Sequence, residues 1–136
     1  MNTKSPQNAP NIIVIDDEEL TQELIRHMLR EVFVGDMVVY STCEKALRRL
    51  KQEPKHYNLI ISDWEVPGLN GLEFLKEVRK LDPEMPFLMV TGHSSKDLVV
   101  NAIKAGVNDF LVKPFTAQGL LKKVIKLTGT QMRTEL

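Results

Sequence analysis

The chain has 136 residues, which is the size of one globular domain, and its 18 Lys and Arg residues balance its 18 Asp and Glu residues. The zero formal net charge argues against a chain-wide affinity for nucleic acid or for an anionic membrane surface. The single cysteine, Cys43, excludes an internal disulfide, and the sequence contains neither an apolar secretory signal nor an apolar run of membrane-spanning length. We therefore expect a soluble, cytoplasmic protein with one domain.

Five short apolar runs alternate along the chain with five patterns that are typical of amphipathic helices. The predicted strands cover residues 12–15, 37–40, 59–62, 87–90 and 110–112, and the predicted helices cover residues 18–33, 43–53, 71–81, 95–105 and 117–127. Residues 1–10 are expected to form a disordered lead-in, residues 11–127 the folded domain and residues 128–136 a frayed tail.

Apolar side chains at three- and four-residue spacing predict which helix faces pack on the core. The residues expected to face inward on the first helix are Leu20, Leu24, Ile25, Met28, Leu29 and Val32. The corresponding residues of the fourth helix are Leu98, Val99, Ala102 and Ile103. Gly35 is expected to end the first helix, because glycine commonly follows the last helical turn.

The alternation of strands and helices predicts an α/β fold with a five-stranded parallel sheet. Parallel strands need right-handed crossover helices, which cover both faces of the sheet. The near-continuous apolar runs agree with strands that are buried on both faces. The strand order 2-1-3-4-5 of flavodoxin-like folds is favoured, and a functional site is expected at the carboxyl edge of such a sheet.

Reactive side chains follow or end four of the five predicted strands. Asp16 and Asp17 follow the first, Asp63 the third, Thr91 the fourth and Lys113 the fifth. Two carboxylates about 4 Å apart repel by roughly 4 kcal/mol at an effective dielectric of 20, and a hard cation such as Mg²⁺ removes that repulsion. Because aspartate can accept a phosphoryl group that a hydroxyl and an ammonium stabilise, the set predicts phosphoryl transfer.

The chain resembles the receiver domain of two-component response regulators over residues 11–127. The matching motifs are IIVIDDEE, LIISDWEVPGLNG, FLMVTGH and NDFLVKPF, in this order. The resemblance implies that Asp63 is the phosphoacceptor and that Asp17 binds Mg²⁺ directly. It also implies that Asp16 binds the ion through water or shapes its site, and that the backbone carbonyl of Glu65 is a further ligand.

The resemblance also assigns residues to the response that follows phosphorylation. Thr91 and Lys113 would contact the phosphoryl group, the Lys113–Pro114 peptide bond would be cis, and Phe110 would turn inward when Thr91 moves. Glu65 and His93 match positions that vary in the family, and the resemblance implies that they would tune the lifetime of the phosphorylated form. The phosphoryl donor would be a sensor histidine kinase or a histidine phosphotransfer protein.

The resemblance further implies a signalling output rather than turnover of a separate substrate. The surface of the fourth helix, fifth strand and fifth helix would change its affinity for a downstream effector. Homodimerisation through this surface is an alternative that the sequence neither favours nor excludes. Such a domain catalyses only its own phosphorylation and dephosphorylation. The remaining residues leave no room for a DNA-binding or catalytic output domain, so the chain is expected to be a stand-alone receiver or part of a larger protein.

The same residues are also compatible with different functions. Taken alone, Asp16 and Asp17 could cap the first helix, and Phe110 could be an ordinary core residue. A haloacid-dehalogenase-like phosphatase also uses a strand-end Asp, a Thr, a Lys and Mg²⁺, but it expects Asp-x-Asp on the first strand and an acid pair after the Lys. A flavodoxin would need a phosphate loop rich in hydroxyls after the first strand, and a histidine phosphotransfer protein would be a helical bundle.

Overall fold

The computed structural model, which describes residues 9–92 and 95–133, contains the predicted sheet of five parallel strands. Numbered by their place in the chain, the strands lie in the order 2-1-3-4-5. The strands are β1 (Ile12–Ile15), β2 (Met37–Tyr40), β3 (Leu59–Asp63), β4 (Phe87–Thr91) and β5 (Asp109–Val112). The helices are α1 (Glu19–Leu29), α2 (Cys43–Gln52), α3 (Gly71–Leu81), α4 (Lys96–Ala105) and α5 (Ala117–Thr128). This architecture confirms the predicted flavodoxin-like fold.

The sheet separates two apolar clusters because successive side chains of a strand point to opposite faces. On one face Ile13 and Ile60 pack with Phe74 of α3. On the other face Val14 packs with Ile25 of α1 and with residues of α5. Both faces of the three central strands are therefore buried, and the polar groups that close these strands lie at the carboxyl edge of the sheet.

Helix α1 is shorter than the sequence predicted, and its buried stripe is narrower. It ends at Leu29, so the expectation that it continues to residue 33 and stops at Gly35 is wrong. Ile25 and Leu29 are buried, whereas Leu20 is 73% and Leu24 is 44% exposed. The reason is that Leu20 and Leu24 lie on a neighbouring stripe of the helix, which the sheet does not cover.

The expected inward positions of α4 were also only partly correct. Ala102 is buried, whereas Ile103 is 60% exposed, although both lie on the predicted apolar face. Leu98 and Val99 are half-buried. The helix therefore turns a smaller part of its circumference toward the core than its sequence indicates.

The segment after α5 is ordered in the part of the chain that the structure describes, instead of forming the expected frayed tail. Gly129 ends α5 at φ +76, in the left-handed region that favours glycine. Met132 then forms an antiparallel bridge with Val32, and the buried hydroxyl of Thr130 donates to the carbonyl of Phe33 at 2.6 Å. These long-range bonds could not be inferred from local sequence patterns.

The predicted lead-in of residues 1–10 lies outside the described residues, apart from Ala9 and Pro10. Within residues 9–92 and 95–133, no helix combines the length and the apolar character that crossing a membrane would need.

Candidate functional site

The ends of four strands place polar side chains side by side at the carboxyl edge of the sheet. Asp16 directly follows β1, Asp63 and Thr91 end β3 and β4, and Lys113 directly follows β5. Asp17 adjoins Asp16, and one carboxylate oxygen from each of the three aspartates lies within 4.8 Å of the others. The structure thus brings together the side chains that the sequence distributes over almost a hundred residues.

Lys113 links the two buried aspartates. Its Nζ donates to Oδ2 of Asp16 at 2.8 Å and to Oδ2 of Asp63 at 2.9 Å. The residue Asp16 is 1% exposed and Asp63 is 7% exposed, so both negative charges lie where water screens them poorly. The carboxylate of Glu18 is farther from the ammonium, at 3.5 Å, and is largely exposed. One cation therefore balances two closely placed anions.

Burial and the attraction between opposite charges together set the pKa values of Asp16 and Lys113. Burial raises the pKa of Asp16, and the nearby charge of Asp63 adds to this, although Lys113 and the backbone N–H of Glu18 act in the opposite direction. Burial works against the ammonium of Lys113, but its hydrogen bonds to Asp16 and Asp63 outweigh this effect and raise its pKa. Lys113 consequently stays protonated at neutral pH.

The donor set fits a hard divalent cation. Three carboxylates offer only oxygen ligands, which Mg²⁺ prefers, and Asp17 is exposed enough to leave room for water on the ion. The sulfur of Cys43 lies 4.0 Å from the hydroxyl of Ser62, the residue before Asp63, but Cys43 is fully buried and burial raises its pKa to about 12. The thiol therefore adds no soft ligand, and the acid cluster is compatible with Mg²⁺ binding.

The loop after Asp63 is held close to the strand by short-range contacts. The N–H of Glu65 donates to Oδ1 of Asp63 at 3.2 Å, and the N–H of Gly71 donates to the carbonyl of Trp64 at 2.8 Å. A Cβ at Gly71 would lie 2.6 Å from the carbonyl oxygen of Asp63, so this close approach requires glycine. The loop is thereby kept next to the carboxylate of Asp63.

Glu44 in α2, which sequence reasoning missed, holds the outer end of this loop. Its carboxylate accepts the N–H of Leu69 at 2.9 Å, across 25 residues of the chain. This hydrogen bond lowers the pKa of Glu44. Asn70 then begins α3 with a reciprocal capping box to Glu73, which the sequence spacing could have revealed. No local pattern points to Glu44, because its partner lies on another element.

The residues expected to transmit a response are also placed at or near this edge. Thr91 is 1% exposed, and its carbonyl accepts the N–H of Lys113 at 2.8 Å. Phe110 is half-buried in β5 and packs against the apolar cluster of α2 and α3. The Lys113–Pro114 peptide bond is cis, as the resemblance implied. His93 lies outside the described residues.

A family model and several known proteins that are similar in sequence to this chain indicate the same family. A family model of the response regulator receiver domain matches residues 12–125. A chemotaxis protein CheY homolog of Campylobacter jejuni is 36% identical over 121 residues, which cover 88% of this chain and 92% of the relative. The chemotaxis protein CheY of Pseudomonas aeruginosa is 32% identical over 118 residues, which cover 85% of this chain and 94% of that protein.

Solved structures show the same similarity. A response regulator receiver domain protein from Clostridium thermocellum superimposes with a TM-score of 0.80 at 29% identity, covering 88% of this chain and 94% of the other. The chemotaxis protein CheY4 of Vibrio cholerae gives a TM-score of 0.78 at 26% identity, covering 88% of this chain and 98% of the other. Sequence and fold therefore point to the same family.

Proposed function

The chain belongs to the response regulator receiver domain family, and from this premise we propose that Asp63 accepts a phosphoryl group from a phosphohistidine of a partner protein. Receiver domains of the CheY type are signalling domains rather than enzymes that act on a separate substrate. The proposal is carried by the position of Asp63, a buried carboxylate at the end of β3 in contact with Lys113 and close to two further acids.

The transfer forms one bond and breaks one bond. A carboxylate oxygen of Asp63 attacks phosphorus, a P–O bond forms, and the P–N bond to the imidazole breaks, with the electron pair leaving on nitrogen. The ammonium of Lys113, which contacts Asp63 in the free protein, is close enough to pair with an incoming phosphoryl oxygen. The buried hydroxyl of Thr91 is the proposed hydrogen-bond donor to another oxygen.

Mg²⁺ is the proposed cofactor. Asp16, Asp17 and Asp63 would hold it together with the backbone carbonyl of Glu65. When bound, the ion would neutralise negative charge on the phosphoryl oxygens and between the carboxylates. This chain's residues orient the acceptor: Lys113 and the N–H of Glu65 each hold one oxygen of Asp63.

We propose that phosphorylation shifts an existing equilibrium between two conformations through Thr91 and Phe110. The surface formed by α4, β5 and α5 would change with it, and this surface exposes the apolar side chains of Val100, Ile103 and Val112. A sensor histidine kinase or a histidine phosphotransfer protein would be the donor. A downstream effector would bind the altered surface, and a homodimer through this face stays an open alternative.

The proposed chemistry acts on Asp63 of the domain itself and on no separate substrate. The protein would catalyse its own phosphorylation and the later hydrolysis of the acyl phosphate. Glu65 is exposed beside Asp63, and it is proposed, together with His93, to tune how long the phosphoryl group survives. The match to the receiver family favours neither the dehalogenase-like phosphatase nor the flavodoxin alternative.

Intact mass spectrometry after incubation with acetyl phosphate or phosphoramidate and Mg²⁺ tests the assignment. We expect one base-labile phosphoryl adduct on the wild-type protein and on Asp36→Asn, a control in which an exposed acid at the opposite edge of the sheet is changed. We expect no adduct on Asp63→Ala. An adduct that persists on Asp63→Ala would exclude Asp63 as the acceptor.

A further inference from the structure

Helix α4 makes few buried contacts along most of its length. Ala102 is its only buried residue in the described part of the chain, and Leu98 and Val99 are half-buried. Val100 and Ile103 are 37% and 60% exposed. Segments with few buried apolar contacts open and shift at low free-energy cost. Packing on the core therefore holds most of α4 only weakly.

The carboxyl end of α4, in contrast, is held by one arginine from α3. Nε and Nη2 of Arg79 donate to the carbonyl of Gly106 at 3.0 and 2.8 Å. Nη1 of Arg79 donates to the carbonyl of Asp82 at 3.2 Å, and Nη2 donates to Oδ1 of Asn108 at 2.9 Å. A single guanidinium thus joins the end of α3, the end of α4 and the turn that leads into β5.

The surroundings of this arginine are shaped for close contact. Gly106 has φ +96, and a Cβ there would lie 2.9 Å from Nε of Arg79, so glycine serves both the backbone conformation and the approach of the side chain. Oδ1 of Asn108 also accepts the N–H of Phe87 at 2.7 Å, which extends the connection to β4. Hydrogen bonds from a charged donor are roughly twice as strong as neutral ones.

Resting on the function proposed above, we propose that Arg79 is a positioning residue that keeps the carboxyl end of α4 stationary during signalling. Because the helix is held at Gly106 and packs weakly elsewhere, a displacement that starts at Thr91 moves its amino-terminal end about this fixed point. Hinge motion about a few residues is one of the recurring forms of conformational switching in proteins. Without this anchor, a displacement of the first turn would also move the carboxyl end of α4.

Residue-resolved hydrogen exchange, measured by NMR with and without Mg²⁺ and beryllofluoride, a mimic of an acyl phosphate, tests the hinge. The first turn is followed at Val99, whose N–H donates to the carbonyl of Ser95, and the last turn at Val107, whose N–H donates to the carbonyl of Ala102. Trp64 fluorescence reports separately on occupancy of the site, because Trp64 adjoins Asp63.

The comparison uses wild type, two variants of the hinge and one control. Arg79→Ala removes the whole guanidinium, and Arg79→Lys keeps the charge without the fork, so it serves if the alanine variant does not fold. Lys80→Ala is the control, because Lys80 is the next residue of α3, is mostly exposed and pairs only with Glu77 among the described residues.

In wild type and in Lys80→Ala, we expect beryllofluoride to change exchange at Val99 by about threefold or more and at Val107 by less than about twofold. In the Arg79 variants, exchange at Val107 should rise by about tenfold and become sensitive to beryllofluoride. The fluorescence-detected affinity of these variants should stay near that of wild type.

Two results would overturn the inference by itself. In the first, Val107 of the wild-type protein responds to beryllofluoride as strongly as Val99. In the second, the Arg79 variants respond like Lys80→Ala. Absence of any Trp64 response to Mg²⁺ and beryllofluoride, in every protein, would instead overturn the proposed function, and the hinge with it.

Discussion

Replacing Lys113 by alanine should destabilise the protein most strongly at neutral pH and without Mg²⁺. At an effective dielectric of about 20, unit charges separated by the 2.8 Å between Nζ of Lys113 and Oδ2 of Asp16 attract by roughly 6 kcal/mol, before the cost of desolvation. Without the ammonium, two charged carboxylate oxygens of Asp16 and Asp63 within 4.8 Å of each other repel by at least about 3.5 kcal/mol at the same dielectric.

Protonation limits the actual loss, because an acid whose charged form is disfavoured takes up a proton. Removing one partner of a buried ion pair typically costs about 3–5 kcal/mol. Because the side chain of Lys113 is 20% exposed, we expect a loss near the lower end of that range, about 3 kcal/mol in the free energy of unfolding at pH 7.5. The control Lys122→Ala, which changes an exposed lysine of α5, should cost less than about 0.5 kcal/mol.

The dependence on pH follows from the raised pKa of Asp16. A carboxyl whose pKa in the folded protein is raised above its ordinary value of 3.8 keeps its proton in the folded state at a pH at which the unfolded chain has already lost it. The free energy of unfolding therefore falls as the pH rises through the interval between the ordinary pKa and the raised one. Lys113 lowers the pKa of Asp16, and its removal widens the interval. The difference between Lys113→Ala and wild type should therefore shrink as the pH falls, because Asp16 takes up a proton more readily than an ordinary aspartate.

Urea unfolding followed by circular dichroism at pH 4, 6 and 7.5, with and without Mg²⁺, measures these effects. Mg²⁺ should stabilise Lys113→Ala more than wild type, because the ion replaces the missing positive charge between the carboxylates. Equal stability of the two proteins at pH 7.5, or a difference that does not change with pH, would refute the electrostatic reasoning.

Three further outcomes are expected. Asn70→Ala, which removes the capping box of α3, should lower the free energy of unfolding by about 1 kcal/mol in urea titrations. Asn70→Ser should keep most of that stabilisation, because serine is also a good N-cap residue. Burial raises the pKa of Cys43 to about 12, so a thiol reagent at pH 8 should modify the native protein far more slowly than the unfolded chain, and equal rates would contradict this. Thr130→Val should cost about 1–2 kcal/mol, because the carbonyl of Phe33 loses its donor, and Thr130→Ser should restore stability.

The positions of the candidate site residues could be predicted because they depend on simple rules. Apolar runs with turn residues between them predict the strands, and parallel strands place all their carboxyl ends at one edge. Asp16, Asp63 and Lys113 therefore had to meet once each was recognised as closing a strand. Local patterns also predicted the starts of α2 and α5.

Local sequence patterns did not predict the contacts between distant parts of the chain. The hydrogen bonds of Glu44 to Leu69 and of Arg79 to Gly106 join residues 25 and 27 positions apart. Nothing in the local sequence marks these partners, because each bond depends on how two helices pack against the same sheet. The stripe of α1 that carries Leu20 stays exposed for a related reason: a helix can have more apolar surface than its neighbours cover.

Periodicity along the chain thus predicts which elements form and which edge of the sheet holds the polar groups. Local sequence does not predict the distances and charges between those groups. One ammonium, that of Lys113, balances two buried carboxylates only because the tertiary structure brings three strand ends within hydrogen-bonding distance. Burial in that arrangement, rather than the identity of Asp16 alone, raises its pKa.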